Sequence, residues 1–342
     1  MKAARIHQHG GPEVVVYEDA PEPKIKADQI LLRVRACAMN HLDLWVRRGI
    51  PSMTFPMPHI LGSDIAGDVV ETGELCERVK PGRRVLLSPG LSCRQCAQCF
   101  AGRDNFCSRY TMFGLGRSGG NAEYMAVPEY TAIEIPEELT FEEAAAAPLV
   151  FLTAYTMLFR RANLQPGEDV LVIAASSGVG SAAVQLAKLL HCRVIATAGG
   201  EEKLAKATEL GADHVIDHYQ QDIAAEARKI TGKRGVDVVV EHVGTATWKQ
   251  SMASLAPGGR LVTCGATTGY DASVDLRFLF NRQQTVAGSF MGSMGDLHAV
   301  LKWVFGKKVR PVIDSVYPLA HVAEAHRRLE DRRQFGKIVL VP

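Results

Sequence analysis

VLVIAASSGVGSAAVQLAK, residues 170–188, decides the fold of this chain. VLVIA is a short apolar run rich in β-branched residues, the pattern of a strand buried on both faces. SAAVQLAKLL sets Ala183, Leu186, Ala187 and Leu190 on one side of a helix. The tight turn SSGVG lies between them. Strand, glycine turn and helix start make a βα corner whose first helical amides lack intrahelical partners and can hold a pyrophosphate. The fingerprint G-x-G-x-x-G is incomplete: Ala175 and Ser177 occupy its first two glycine places and Gly180 its third. The turn alone therefore also fits a plain βα corner, and the segments around it tip the choice.

Downstream, HCRVIATAGG reads as a second strand, EEKLAKATELGA as a helix stopped by Gly211, and DHVID as a third strand. RGVDVVVEHVG, GGRLVTCGATTG and QQTVAGSF supply a fourth, fifth and sixth. Strands alternating with helical periods predict an α/β fold with a parallel, doubly wound sheet, and with it dinucleotide binding. Residues before about 135 have another texture. VVVYED, QILLRVRAC, IAGDVVETG, RVLLSPG and AEYMAVP are short strands between Gly and Pro turns, a β-rich pattern, with HLDLWVRRG as a short helix. EELTFEEAAAAPLVFLTAYTMLFRRAN reads as helical and leads into the nucleotide-binding half. DLHAVLKWVFGKK and HVAEAHRRLEDRR read as helices and KIVLVP as a closing strand. The expected organisation is a β-rich domain over 1–148, a nucleotide-binding domain over 149–290, and a return to the first domain over 291–342.

A length of 342 residues fits about two domains. With 47% hydrophobic and 22% charged residues the chain can build ordinary cores, so a disordered or fibrous protein is excluded. A net charge of +2 gives no reason to expect nucleic acid or a membrane as partner. No run reaches the ~18 apolar residues of a membrane span. The start, MKAARIHQHGGPE, lacks the apolar core of a signal peptide, so a cytoplasmic location is expected.

Cys93, Cys96, Cys99 and Cys107 stand in CRQCAQCFAGRDNFC, with spacing C-x2-C-x2-C-x7-C, in a lobe over 90–110. Four thiolates this close in sequence can close a tetrahedral zinc shell, so one structural zinc per chain is expected. Disulfides and an iron–sulfur cluster are the alternatives; a cytoplasmic chain disfavours the first. A shell closed by four thiolates leaves no open position for catalysis. Cys37, Cys76, Cys192 and Cys264 lie scattered in apolar runs and read as core thiols.

The β-rich start, the four-cysteine lobe, GGNAEYMAVP, AAPLVFLTAYTML, AASSGVGSAAVQLAK and GGRLVTCGATTG together resemble the medium-chain dehydrogenase/reductase superfamily over nearly the whole chain. The resemblance implies a GroES-like catalytic domain, a Rossmann domain and a homodimer or homotetramer. The departures narrow it. Zinc alcohol dehydrogenases hold a catalytic zinc through a Cys, the His-Glu of a G-H-E motif and a further Cys or Asp. Here Asn40 stands at the first ligand position, Gly62-Ser63-Asp64 replaces G-H-E, and APLVFLTAY contains no cysteine. An amide and a hydroxyl are poor zinc ligands. A catalytic zinc on His41, His59 and Asp64 is the remaining alternative. The chain thus resembles the zinc-free reductases, which include quinone reductases and enoyl-thioester reductases and act on a C=C bond conjugated to a carbonyl.

NHLDLWVRRGIP, through Asn40 and Trp45, resembles the Asn-x-x-x-x-Trp segment of crotonyl-CoA and acryloyl-CoA reductases. VVVEHVGTATW resembles their Glu-His-x-Gly segment through Glu241, His242 and Gly244. The resemblance implies that Asn40 and His242 line the pocket around the nicotinamide and the enoyl group, with Glu123 as a further pocket carboxylate. Asn40 and Asp43 equally fit helix capping, and Glu123 a solvated strand edge. The matching positions imply cofactor contacts at Thr153, Ser177, Gly178, Val179, Gly180, Gly199, Lys203, His218, Val243, Gly265 and Lys337. In VIATAGGEEK the acidic residue that bonds the ribose of NAD is missing; Ala198 or Gly199 has its place. Lys203 can reach back to a 2′-phosphate, with His218 as a further donor, so NADPH is expected. The expected activity is NADPH-dependent reduction of an α,β-unsaturated thioester or carbonyl, with a small-molecule substrate such as a CoA thioester. Quinone or 2-alkenal reduction, zinc-dependent alcohol oxidation, and a non-enzymatic NADPH-binding or crystallin-like role are the alternatives.

Overall fold

A computed structural model describes residues 1–51 and 53–342. The chain forms two compact units: Met1–Leu149 with Ser293–Pro342, and Val150–Gly292.

The second unit is built on a six-stranded parallel sheet. Its strands in chain order are Asp169–Val172, Arg193–Ala198, His214–Asp217, Val236–Glu241, Leu255–Thr263 and Thr285–Gly288. Their spatial order is third, second, first, fourth, fifth, sixth. The first strand is central, and the second and fourth lie on either side of it. At that point the winding reverses, and the carboxyl ends of such strands open a crevice for a ligand. Helices Gly178–Leu189, Glu201–Glu209, Ile223–Ile230 and Thr245–Ser254 connect the strands. Leu171, Ile195, Val239 and Leu261 from the sheet pack with Ile223 and Ala227 in one core. Each such aliphatic side chain, fully buried, stabilises by about 1.5–3 kcal/mol.

The first unit carries a seven-stranded sheet and a three-stranded one. The long strand Gln29–Ala38 is the spine of the larger sheet, pairing antiparallel with Asp64–Thr72, Tyr124–Pro128 and Lys337–Val341. Its register places Ala38 opposite both Asp64 and Val339. Two elements had no clear pattern in the sequence. Lys2–Ile6 mixes charge with alanine, and Ile313–Pro318 is mostly half-exposed, so neither shows the apolar alternation of a strand. The helix expected over EELTFEEAAAAPLVFLTAYTMLFRRAN is several elements: Phe141–Ala146, Pro148–Tyr155 and a wide π turn at Thr156–Arg161. Pro148 lacks an amide hydrogen and its ring crowds the preceding turn, which ends the first helix there. Among the described residues no helix is long and apolar enough to cross a membrane.

Candidate functional site

The sulfurs of Cys93, Cys96, Cys99 and Cys107 all lie within 4.8 Å of one another. Cys93 Sγ is 3.9 Å and Cys96 Sγ 3.5 Å from Cys99 Sγ. A tetrahedral shell with Zn–S of ~2.3 Å needs sulfurs about 3.8 Å apart, so the set fits zinc. Backbone N–H groups of Cys93 and Arg109 donate to Cys107 Sγ at 3.5 and 3.4 Å. The Gln95 amide, with the Arg109 guanidinium, draws the Cys93 thiol down to about 6. Among the described residues this is the group of His, Cys, Asp and Glu donors placed to share one ion. Of the remaining cysteines, Cys37, Cys76 and Cys192 are buried as core thiols, whereas Cys264 is only partly buried.

In the second unit the turn between the first strand and helix Gly178–Leu189 opens on the N-terminus of that helix. Ser177 caps the helix, its Oγ accepting the Gly180 amide at 2.8 Å. That leaves the amides of Gly178 and Val179 at the helix mouth. A Cβ on Gly180 would lie 2.4 Å from the Ala174 carbonyl oxygen, so the third glycine of the fingerprint is required by close approach. Ala174, not a glycine, takes the left-handed conformation, with φ of 51°. His242 follows the fourth strand at its carboxyl end, and its Nε2 lies 3.1 Å from Ser177 Oγ. Burial pushes its imidazole below the ordinary value, which keeps it neutral at pH 7. Glu241 is fully buried. Its Oε1 accepts the amides of His242, Val243 and Gly244, and its Oε2 the hydroxyls of Thr247 and Ser251.

At the tip of the second strand, Gly199 carries the Tyr219 ring so close that a Cβ would lie 2.2 Å from it. His218 meets Tyr219 edge-on, with centroids 4.6 Å apart. Lys203 is in the first turn of helix Glu201–Glu209. No carboxylate occupies the strand tip at Ala198 or Gly199. Thr153 is buried in helix Pro148–Tyr155, and Gly265 lies beside the backbone of His242.

In the first unit, continuing the register of Lys337–Val341 against Gln29–Ala38 sets Lys337 opposite Asn40. The Lys337 ammonium donates to Asn40 Oδ1 at 2.6 Å and to Asp64 Oδ2 at 2.9 Å. Asn40 Nδ2 donates to the same Asp64 oxygen at 2.9 Å, and the Leu149 amide to Asp64 Oδ1 at 2.9 Å. All three side chains are buried. Asp43 caps helix His41–Arg48, its Oδ2 accepting the Asn40 amide at 2.7 Å while Oδ1 accepts that of Gly62 at 2.9 Å. Burial raises the Asp43 carboxyl to about 6. Asn40 is thus committed to a network, and Lys337, expected to point at the cofactor, spends its ammonium on that network. His59 Nε2 is 3.1 Å from the Gly114 carbonyl, and His41 packs edge-on against Trp45 with centroids 5.2 Å apart. Glu123 lies at the strand edge with its carboxylate on the Lys2 amide at 2.6 Å. Sequence reasoning gave Asp43 its capping role and named Glu241 within the Glu-His-x-Gly segment; it missed the Gly62 amide on Asp43, the buried amide-holding role of Glu241, and Tyr219 as a wall.

A profile described as "Alcohol dehydrogenase GroES-like domain" matches residues 26–137, and one described as "Zinc-binding dehydrogenase" matches 178–306. The NAD-dependent alcohol dehydrogenase of Sulfolobus acidocaldarius is 34% identical, with 99% of each chain covered. The human quinone oxidoreductase is 29% identical over all of this chain and 98% of its own. The crotonyl-CoA carboxylase/reductase of Cereibacter sphaeroides is 30% identical over 96% of this chain and 83% of its own. A solved NAD-dependent alcohol dehydrogenase is 44% identical and superposes with a TM-score of 0.97 over the full length of both chains. With a parallel six-stranded nucleotide-binding sheet, a GroES-like unit and relatives of this length and identity, the chain belongs to the medium-chain dehydrogenase/reductase superfamily of oxidoreductases.

Proposed function

We propose that the protein is an NADPH-dependent reductase of a C=C bond conjugated to a thioester or carbonyl, with an enoyl-CoA as substrate class, working without a catalytic metal. The observation that carries this reading is the closed network of Lys337, Asn40 and Asp64. Both Asp64 oxygens have donors, so a metal there would have to displace a buried ammonium. The four-cysteine lobe holds a structural zinc, which contributes folding energy and leaves no open coordination position.

The dinucleotide, when bound, supplies the hydride. The amides of Gly178 and Val179 would hold its pyrophosphate, and Lys203 and His218, beside Tyr219, would hold its 2′-phosphate. The neutral His242 imidazole brings no positive charge to the carboxyl end of the fourth strand. Relatives called NAD-dependent alcohol dehydrogenases make the competing prediction. The test is a panel: crotonyl-CoA and acryloyl-CoA with NADPH, with and without bicarbonate, beside quinones, free enones, and alcohols with the oxidised dinucleotides. Consumption of NADPH with enoyl-CoA supports the reading. Brisk alcohol oxidation abolished by chelation overturns it, and activity confined to quinones or free enones moves the protein to the quinone-reductase class.

The same reading extends to assembly as a homodimer. The sixth strand, Thr285–Gly288, is a sheet edge, and Leu276, Phe278, Phe280, Val286 and Phe290 around it are exposed. An open strand edge framed by aromatic side chains fits a second copy of itself. Light scattering should give twice the chain mass, and Val286→Lys with Phe280→Glu should give monomers.

A further inference from the structure

Five residues, Ile173 to Ser177, join the first strand to the helix that receives the pyrophosphate. Their backbone is held from one side by Thr197, whose Oγ1 accepts the Ala174 amide at 2.9 Å and whose carbonyl accepts the Ala175 amide at 2.8 Å. Ala174 adopts a left-handed conformation that is unfavourable for a non-glycine residue, so the turn persists only because its surroundings hold it. From the other side the contact is His242. Its Nε2 meets Ser177 Oγ at 3.1 Å, and the Ile173 backbone at the other end of the turn lies against the same ring.

A serine hydroxyl has one hydrogen to give. Ser177 Oγ already accepts from Gly180; with the ring hydrogen on Nδ1, directed at the Ile173 backbone, Nε2 is the acceptor and the hydroxyl hydrogen goes to it. The hydroxyl is then unable to rotate into the helix mouth. Glu241, holding the amides of His242, Val243 and Gly244, anchors the ring to the fourth strand. We propose that His242 is the clasp of the pyrophosphate-binding turn: a positioning residue that acts through Ser177 and sets affinity for the whole dinucleotide. This rests on the cofactor reading above and changes the role given to His242 from a group at the reacting carbon to one that shapes the cofactor's seat.

The test is fluorescence titration of the full chain with NADPH and with NADH, together with kcat. His242→Ala should weaken both dinucleotides by one common factor, about three- to tenfold, because the pyrophosphate is common to both. In His242→Gln an amide oxygen reaches the place of Nε2 and should restore most of the affinity; His242→Asn, one bond shorter, should not. Because Ser177 also caps the helix through the Gly180 amide, Ser177→Ala should weaken binding on its own, and His242→Ala should then add little in the Ser177→Ala background. A fall in kcat with both affinities unchanged, failure of Gln to do better than Asn, or independent losses at the two positions would overturn the clasp alone. Failure of the wild-type chain to bind either dinucleotide would overturn the cofactor reading and the clasp with it.

Discussion

Lys337→Met is the perturbation whose size the structure sets most directly. The substitution keeps the length and apolar stem of the side chain and removes a buried ammonium bonded to Asn40 and Asp64. Breaking a buried ion pair costs about 3–5 kcal/mol, because one charge stays in the interior without its partner. Asp64 keeps the Asn40 Nδ2–H and the Leu149 amide, each at 2.9 Å, which solvate part of its charge. That places the expected loss at the low end, about 3 kcal/mol. At about 2–4 °C per kcal/mol for a unit of this size, the transition of the first unit should fall by about 6–12 °C in calorimetry. Adding Asp64→Asn should recover most of it by removing the stranded charge while leaving an oxygen for the Leu149 amide. A shift under about 2 °C for Lys337→Met, or a double variant no more stable than the single one, would show that the ammonium does not neutralise Asp64.

Three further outcomes are expected. Elemental analysis should find about one zinc per chain, and Cys96→Ser should destabilise the lobe; two tightly held zincs would refute the reading of Asn40 and Asp64. Lys203→Ala should weaken NADPH about tenfold to a hundredfold while sparing NADH, as measured by titration, and an unchanged ratio of affinities would remove Lys203 from the phosphate site. Burial, with the Arg47 guanidinium beside it, lowers the His326 imidazole from 6.5 to about 3. The unfolded chain therefore binds the extra proton in that window, and the stability this group contributes above pH 6.5 is lost as pH falls toward 3. Denaturation across that range should show a shallower acid slope in His326→Gln, and an identical slope would mean that the folded protein protonates His326 normally.

The fold was legible because its signals are local. A buried parallel strand announces itself as a β-branched run, a helix as a period, and all six strands of the nucleotide-binding sheet stand where those runs predict them. The four cysteines lie within fifteen residues of chain, so their spacing was enough to predict a shared site. Two of the elements that escaped, Lys2–Ile6 and Ile313–Pro318, carry charge or partial exposure in place of an apolar pattern and form because a neighbour offers an edge.

The site's chemistry lies at another level. The sequence by itself determined which residues with catalytic potential exist and which metal ligands were replaced: Asn40 for a cysteine, Ser63 and Asp64 for a His-Glu pair. Only tertiary structure decided what those side chains do. Asn40 meets Lys337 across 297 positions of sequence and Ser177 meets His242 across 65. Both meetings depend on strand order and register, which are set by the packing of whole sheets. A one-residue slip of Lys337–Val341 against Gln29–Ala38 would turn Lys337 to the other face and leave Asp64 without its cation.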